Sequence, residues 1–387
     1  MTTRITQLDV ARGIAILGTL GTNIWVFSHP EGLVGHLASP TSPGAPPWQQ
    51  QIETFLQQVT NGKFLGLLTL MFGIGLAIQA DSARRRGRPW PGPYLWRAGL
   101  LLLDGIVHYF LVIEFDVLMG YAVTGAVVAH IICTSPRTQR IWAITTGALH
   151  LALIGGLTAL LWATPADQLP TTLTPNPYRD GSWWDLVLFR LDNAAMFRVE
   201  PVLIGAMSIC MFLIGHRLHH AGLFLPHGAT LRRRLMLVGA IALPLDIGLG
   251  MAHPNWFLAT RYGTAPLVAL GLLALIAHLP SSTGWFGDRM AELGRVALSA
   301  YMLQNILASA IFYGWGLDLG GAPPTWRLIT TPIAFVVVSG AIIAGAHVWL
   351  RRFSRGPVEW LWHHGYVALS GAGRINADDA RCRTPLA

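Results

Sequence analysis

The chain has 387 residues, 52% hydrophobic and only 12% charged, where an ordinary soluble domain carries roughly 25% charged residues. With a mean hydropathy of +0.47, this excludes a soluble globular protein, a disordered chain and a collagen-type fibre. The net charge of +8 sits in short loops between apolar runs, as in a membrane protein fixing its orientation, so no nucleic-acid partner is expected.

Apolar runs of about 20 residues, the length that crosses a ~30 Å hydrocarbon core, place ten spans at 10–28, 59–80, 94–113, 116–134, 141–163, 199–218, 235–252, 264–281, 296–314 and 328–350. Lipid offers no water to satisfy backbone groups, and the alternation of a membrane barrel is missing. The fold class is therefore all-α, a polytopic membrane helix bundle. The first run begins near Val10, with Asp9 and Arg12 at its start and no small-residue cleavage site, so it reads as a retained span. Assigning Lys63, Arg179, Arg190, Arg198, Arg261 and Arg327 to the outer side leaves the other 21 of the 27 Lys and Arg inside. Both termini are then expected in the cytoplasm.

The chain divides into a five-span half (1–163), an outer segment (164–198), a second five-span half (199–355) and a cytoplasmic tail (356–387). The tail reads as polar after Trp360 and Trp362 and as disordered from Asp378. The outer segments 29–58 and 164–198 are rich in Pro, Trp and His and long enough to be functional. Trp183, Trp184 and Phe189 predict an amphipathic helix at the outer interface, with a simple anchor as the plain alternative. No internal repeat of the inverted-transporter kind is visible.

An ionised side chain at mid-bilayer costs about 3 kcal/mol on insertion scales, so each needs a partner or a purpose. In the third span Arg97, Asp104 and His108 share one helical face, with Asp104 and His108 at i, i+4. A carboxylate beside an imidazole raises its basicity and orients it, as a general base requires; an interhelix hydrogen-bond cluster is the plain alternative. Asp9 and Arg12 form a local ion pair that seats the first helix. His29, directly after that span, is placed to look into the bundle from outside. With His108, Glu114, Asp116 and Glu200 it predicts a polar outer vestibule. Asp246 after Pro244 is expected to line a cavity, whereas His130, His150, His278 and His347 read as satisfied core residues. Gly73 and Gly75 read as small residues permitting close helix contact. No phosphate-binding loop, His-Glu-x-x-His or Gly-x-Ser-x-Gly occurs, and Cys133, Cys210 and Cys382 stand in no ligand spacing, so no metal is expected.

Several stretches resemble the YeiB-like family of bacterial inner-membrane proteins. They are Leu8-Asp9-x-x-Arg12-Gly13-x-Ala15-Ile16-Leu17-Gly18 followed by Asn23, then Lys63-Phe64 before Leu70-Met71-Phe72-Gly73-Ile74-Gly75. Further along stand Val107-His108 before Asp116-Val117-Leu118 and Tyr121-Ala122, Gly294-Arg295 with Leu298-Ser299-x-Tyr301-x-x-Gln304, Phe312-Tyr313-Gly314, and Gly356-Pro357-x-Glu359-Trp360-Leu361-Trp362. The resemblance covers almost the whole chain and implies a multi-pass protein of the bacterial inner membrane. The N-terminal half of that family is similar to the catalytic region of heparan-alpha-glucosaminide N-acetyltransferase. That enzyme moves an acetyl group from acetyl-CoA across a membrane to an amino sugar, using a histidine in the outer loop after its first span. His29 matches by placement, with His36 as its rival, and the enzyme's large luminal domain has no counterpart here.

The resemblance thus implies acyl transfer from acetyl-CoA or another acyl-CoA to a small-molecule, glycan or lipid-linked acceptor outside the cytoplasm. His29 or His108 would be the base and Asp104 the residue orienting His108. Asn23, Tyr121 or Gln304 would stabilise the oxyanion, and Glu114, Asp116, Tyr121, Glu200, Tyr301 and Gln304 would line the acceptor side. Arg12, Arg84, Arg85 and Asn23 are the residues offered for the coenzyme, although positive-inside topology explains the arginines without it. A transporter or flippase is the main alternative, and a non-catalytic membrane assembly factor or sensor the third. Membrane lipid is an expected partner, and a homodimer is compatible with the sequence.

Overall fold

The computed structural model describes residues 5–164, 173–280 and 284–370. Arg4, Arg374, Arg381, Arg383, Cys382 and the tail from Asp378 lie outside them. In chain order the helices are α1 (Thr6–Phe27), α2 (Gly32–Ala38), α3 (Pro47–Thr60), α4 (Lys63–Arg85), α5 (Tyr94–Leu111), α6 (Leu118–Ile131), α7 (Pro136–Ala163), α8 (Trp183–Asp192) and α9 (Ala194–Phe197). There follow α10 (Val199–Leu203), α11 (Gly205–His220), α12 (Ala229–Ala252), the one-turn α13 (Phe257–Ala259), α14 (Ala265–His278), α15 (Gly284–Arg295), α16 (Ala297–Phe312), α17 (Arg327–Leu350) and α18 (Pro357–Ser370). No strand occurs among the described residues.

A helix falls on each of the ten expected spans, but their lengths differ. Six helical segments are long and apolar enough to cross a membrane, and two bent pairs, α9–α10 with α11 and α15 with α16, raise the number to eight. The short α6 and the charge-bearing α5 make up the remaining two positions. They pack as neighbours joined by one turn, so counting both or neither leaves the chain ends on the same relative sides.

The helices sort by environment. The apolar windows of α1 and of the α3–α4 run are 72% and 67% buried, whereas those of α7, α12 and α17 are 22%, 17% and 22% buried. The first two are central and the other three present apolar side chains outward. Close packing rests on reciprocal glycine contacts. A Cβ on Gly13 would stand 2.1 Å from the Met290 carbonyl oxygen, and one on Gly294 would stand 1.9 Å from that of Asp9. These positions let α1 and α15 touch backbone to backbone, the small-residue packing of membrane helices. Gly73 and Gly215 do the same for α4 and α11. Gly75, expected to share that role, meets only an Arg12 guanidinium nitrogen at 3.9 Å.

The segments between spans are themselves partly helical. Residues 29–58 hold two helices. In α3 the usual amphipathic pattern is inverted, with Gln49, Glu53 and Gln58 buried while Trp48, Ile52, Phe55 and Val59 are exposed. A polar interior with an apolar exterior is what a helix needs when its outside faces lipid. A helix does form around Trp183, as α8, started by a Ser182–Asp185 capping box that satisfies two orphan backbone donors. The tail begins with α18, whose Trp362 side chain meets Asp104 of α5.

Candidate functional site

The six basic residues assigned to the outer side gather at one end of the bundle, where most are committed to buried partners. Arg190 of α8 donates to Glu114 at 3.2 Å and to the Phe110 and Val112 carbonyls, and Tyr178 donates to the same carboxylate at 2.8 Å. Glu114 therefore ties the outer segment to the α5–α6 turn and does not face an open space. Arg327 donates to the Ser28 hydroxyl and the Trp25 and Pro40 carbonyls. Lys63 donates to Asp246 and to the Gln58 carbonyl, with both charged side chains buried.

His108 is linked to these residues through Asp116, whose carbonyl accepts from Arg198. Its Nδ1 pairs with Asp116 Oδ1 at 2.9 Å, with both side chains fully buried, and Asp116 Oδ2 accepts the Met119 backbone N–H at 3.1 Å. Its Nε2 meets the Asn305 amide nitrogen at 3.3 Å. That nitrogen also donates to the Tyr301 carbonyl at 2.9 Å, while the Asn305 amide oxygen accepts from Asn23 at 3.3 Å. With both amide hydrogens placed, the Nδ1–H tautomer follows: Nδ1 donates to the carboxylate and Nε2 is the basic nitrogen. The Tyr301 ring packs on the imidazole, centroids 4.9 Å apart.

The carboxylate orienting His108 is thus Asp116, across the α5–α6 turn, and not Asp104. The Asp104 carboxylate takes the Trp362 indole N–H, while Arg97 donates to Gln79 and lies under the Tyr366 ring. Two of the three residues expected on one catalytic face therefore hold α18.

Asp116 also lines a narrow outer pocket with Tyr121, Arg198, Glu200, Pro201 and Ser208. Only about 10 Å³ is open to the centre of a water, so it holds roughly one water, and a larger guest requires its walls to move apart. Arg198 spans its mouth, donating to the Glu114 and Asp116 carbonyls over the Tyr109 ring. Glu200 accepts from Tyr262 at 2.5 Å and Arg261 at 3.1 Å. Tyr121 donates to the Leu65 carbonyl at 3.1 Å and bonds the Thr69 hydroxyl. Gln304 reaches Thr19 at 3.3 Å, leaving its side-chain oxygen buried without a partner.

His29 does not share this pocket. It is buried beneath α2, where Gly35 makes room for its ring and its Nδ1 accepts the Glu31 backbone N–H at 3.1 Å. The His36 ring stands 6.4 Å away, edge-on. Burial, reinforced by the Arg327 charge, pushes His29 down to about 3 and holds His36 well below the usual imidazole range. The residues offered for the coenzyme do not converge either. Arg12 pairs with Asp9 at 3.2 Å, Asn23 is engaged with Asn305, and Arg84 and Arg85 end α4 at the opposite, arginine-rich end.

Sequence reasoning did not single out Asn305 or Tyr262, and left Arg198, Arg261 and Lys63 as topology markers. Asn305 adjoins Gln304 in a quoted stretch, and Lys63 opens another, so a signal was present for those two.

The family described as "Protein of unknown function (DUF418)" matches residues 218–368, the region from the end of α11 to α18. The uncharacterized protein YxaH of Bacillus subtilis (strain 168) is 27% identical over 383 residues, 93% of each chain. The uncharacterized protein YeiB of Escherichia coli (strain K12) is 30% identical over 400 residues, 96% of this chain and 97% of that one. An uncharacterized 39.9 kDa protein from the amylase 3' region of Bacillus acidopullulyticus is 22% identical over 365 residues. With near-complete coverage at that identity, the chain belongs to the YeiB-like family of multi-pass bacterial membrane proteins.

Proposed function

We propose that the protein is an acyltransferase of the bacterial inner membrane, moving an acyl group from a coenzyme A thioester to a hydroxyl or amine at the outer pocket. The observation carrying this reading is that Asp116 both orients the buried His108 imidazole, at 2.9 Å, and lines the pocket beside Glu200. An acceptor that displaces Asn305 from His108 Nε2 gives its proton to that nitrogen as its oxygen or nitrogen bonds the thioester carbonyl carbon. The C–S bond breaks, and the proton passes from Nε2 to the departing sulfur. The freed Asn305 amide hydrogen is then a donor for the developing oxyanion. Glu200, held by Arg261 and Tyr262, gives the pocket a fixed acceptor for a polyhydroxy or amino substrate.

Purified protein in detergent, given radiolabelled acetyl-CoA and a panel of amino-sugar and polyol acceptors, tests this. Acyl transfer or slow thioester hydrolysis is expected, falling roughly 10²- to 10⁴-fold in His108→Ala. Unchanged turnover in that variant would remove His108 from the chemistry.

One observation favours a second reading, a transporter. Lys63 and Asp246 meet where three helices depart from regular geometry: the α3–α4 break at Gly62, Pro244 within α12, and the π-helical turn at Thr260–Thr264. Charged groups at interrupted helices are how secondary transporters hold ions. Substrate counterflow in proteoliposomes without covalent change would support it over acyl transfer.

A further inference from the structure

At the arginine-rich end a groove of about 450 Å³ opens where α4 and α11 finish and α7 begins. It is lined by Arg84, Ile132, Gln139, His216, Arg217 and His220 among others. Among the described residues neither the Arg84 nor the Arg217 guanidinium has an ion-pair or hydrogen-bond partner. His216 is 8% exposed and its Nδ1 is buried with no partner. Asp81 is the carboxylate at this edge, and it is taken up by His220 at 3.3 Å and His219 at 3.6 Å. Two free guanidiniums beside an open space, with an unpaired imidazole nitrogen buried in its wall, form a set suited to an anion with several acceptor oxygens.

We propose that this groove binds the phosphate of an anionic phospholipid headgroup. The surroundings argue for a lipid over a soluble phosphate. α7, which forms one wall, is the peripheral helix whose apolar window is only 22% buried. One turn beyond the groove it presents Ile141, Trp142 and Ile144, 54%, 44% and 64% exposed. A lipid with its phosphate between Arg84 and Arg217 lays its chains on that face. Arg137 and Arg140, exposed on the first turns of α7, add attraction for a net negative headgroup. Basic pockets between helices at the positively charged membrane face are suited to such lipids. The proposal is independent of acyl transfer.

The test is binding of short-chain phosphatidylglycerol to the full-length protein in uncharged detergent, with phosphatidylcholine, inorganic phosphate and coenzyme A as separate arms. Phosphatidylglycerol is expected to bind more tightly than phosphatidylcholine, and Arg84→Gln/Arg217→Gln to weaken it roughly tenfold or more. Arg352→Gln, exposed at the same end, should leave it unchanged, and elution volume and melting temperature report on folding of each variant. Equal binding of the two lipids, or a double variant that binds as the parent does, would overturn the proposal. Tight coenzyme A or phosphate binding lost in the double variant, without a lipid preference, would also overturn it and assign the groove to a soluble ligand.

Discussion

Asp116 reaches His108 across the α5–α6 turn, its carboxylate 2.9 Å from Nδ1 and both side chains fully buried. Eight residues separate them, whereas Asp104 is four residues away on the same helix and is engaged by Trp362. The two aspartates are therefore expected to respond differently to loss of charge. Asp116→Asn keeps one acceptor oxygen but turns an NH2 group toward either the His108 Nδ1–H or the Met119 backbone N–H, so a buried donor loses its acceptor at a cost of about 1–3 kcal/mol, and a fall in melting temperature in detergent is expected. Asp104→Asn keeps an acceptor for the indole on a half-buried side chain and should change it little. Equal effects would mean that Asp116 does not hold His108 in solution.

What the sequence reveals follows from which contacts are local. The spans were legible because each apolar run carries its own signal, whatever it packs against. The i, i+4 rule could propose Asp104 for His108 because that neighbour is fixed by helix geometry alone. Asp116 requires the turn to be known, and Asn305 lies almost two hundred residues away in sequence. Helix α3 was missed for a different reason. Its run of glutamines reads as solvated surface, yet Gln49 donates to Glu53 at 2.8 Å and Gln58 to Asp246 at 3.0 Å inside the bundle.

The Lys63–Asp246 pair provides a test of charge balance. Lys63→Met leaves a carboxylate in a site where Asp246 is 0% exposed, with Thr264 and Gln58 as its remaining donors. The combined Lys63→Met/Asp246→Leu variant removes both charges. Replacing a buried pair by apolar groups is often neutral, while leaving one charge alone costs about 3–5 kcal/mol. The double variant should therefore be recovered from the membrane in higher folded yield than the single one. A double variant that folds worse would show that Asp246 is needed for more than matching Lys63.

Acid should loosen the outer cover over His29. The folded protein holds this imidazole down to about 3, through burial first and the Arg327 charge second, whereas an unfolded chain takes up the proton near 6.5. The stabilising contribution is then fully present above about pH 6.5 and is lost as the pH falls through the window down to 3. His36, held low by the same causes, adds to the loss with the same sign. The melting temperature of the parent should fall over this range more steeply than that of a His29→Gln/His36→Gln variant. Parallel curves would contradict the buried, uncharged state of the pair.

Glycine contacts offer a comparison at nearly constant chemistry. Gly13→Ala places a methyl group 2.1 Å from the Met290 carbonyl oxygen, which is backbone and cannot swing away, whereas Gly155→Ala in α7 meets nothing within 4 Å. The first should cost about 1–3 kcal/mol, the range for overpacked sites, while the second should be neutral or slightly favourable because alanine is the better helix former. Matching melting temperatures for the two variants would indicate that α1 and α15 are not in backbone contact.

The C-terminal stretch from Gly356 to Trp362 is explained by what it does to α16. The chain bends by 90° between α15 and α16, and no side chain of the bend caps the new helix, leaving its first N–H groups unsatisfied. Glu359 supplies the cap from α18, accepting from the Leu298 and Ser299 backbone N–H groups at 2.8 and 3.3 Å and from the Ser299 hydroxyl at 2.5 Å. A Cβ on Gly356 would lie 2.2 Å from that carboxylate, which accounts for glycine there. Since α16 carries Tyr301 and Asn305, the cap also fixes the helix that faces His108. Glu359→Gln keeps one acceptor but loses the charge at a helix N-terminus, a change of about 0.3–1 kcal/mol, whereas Glu359→Ala removes the cap. Hydrogen exchange should therefore accelerate at Leu298 and Ser299 and along α18 in the order parent, glutamine, alanine. Identical protection in the alanine variant would separate α18 from the start of α16.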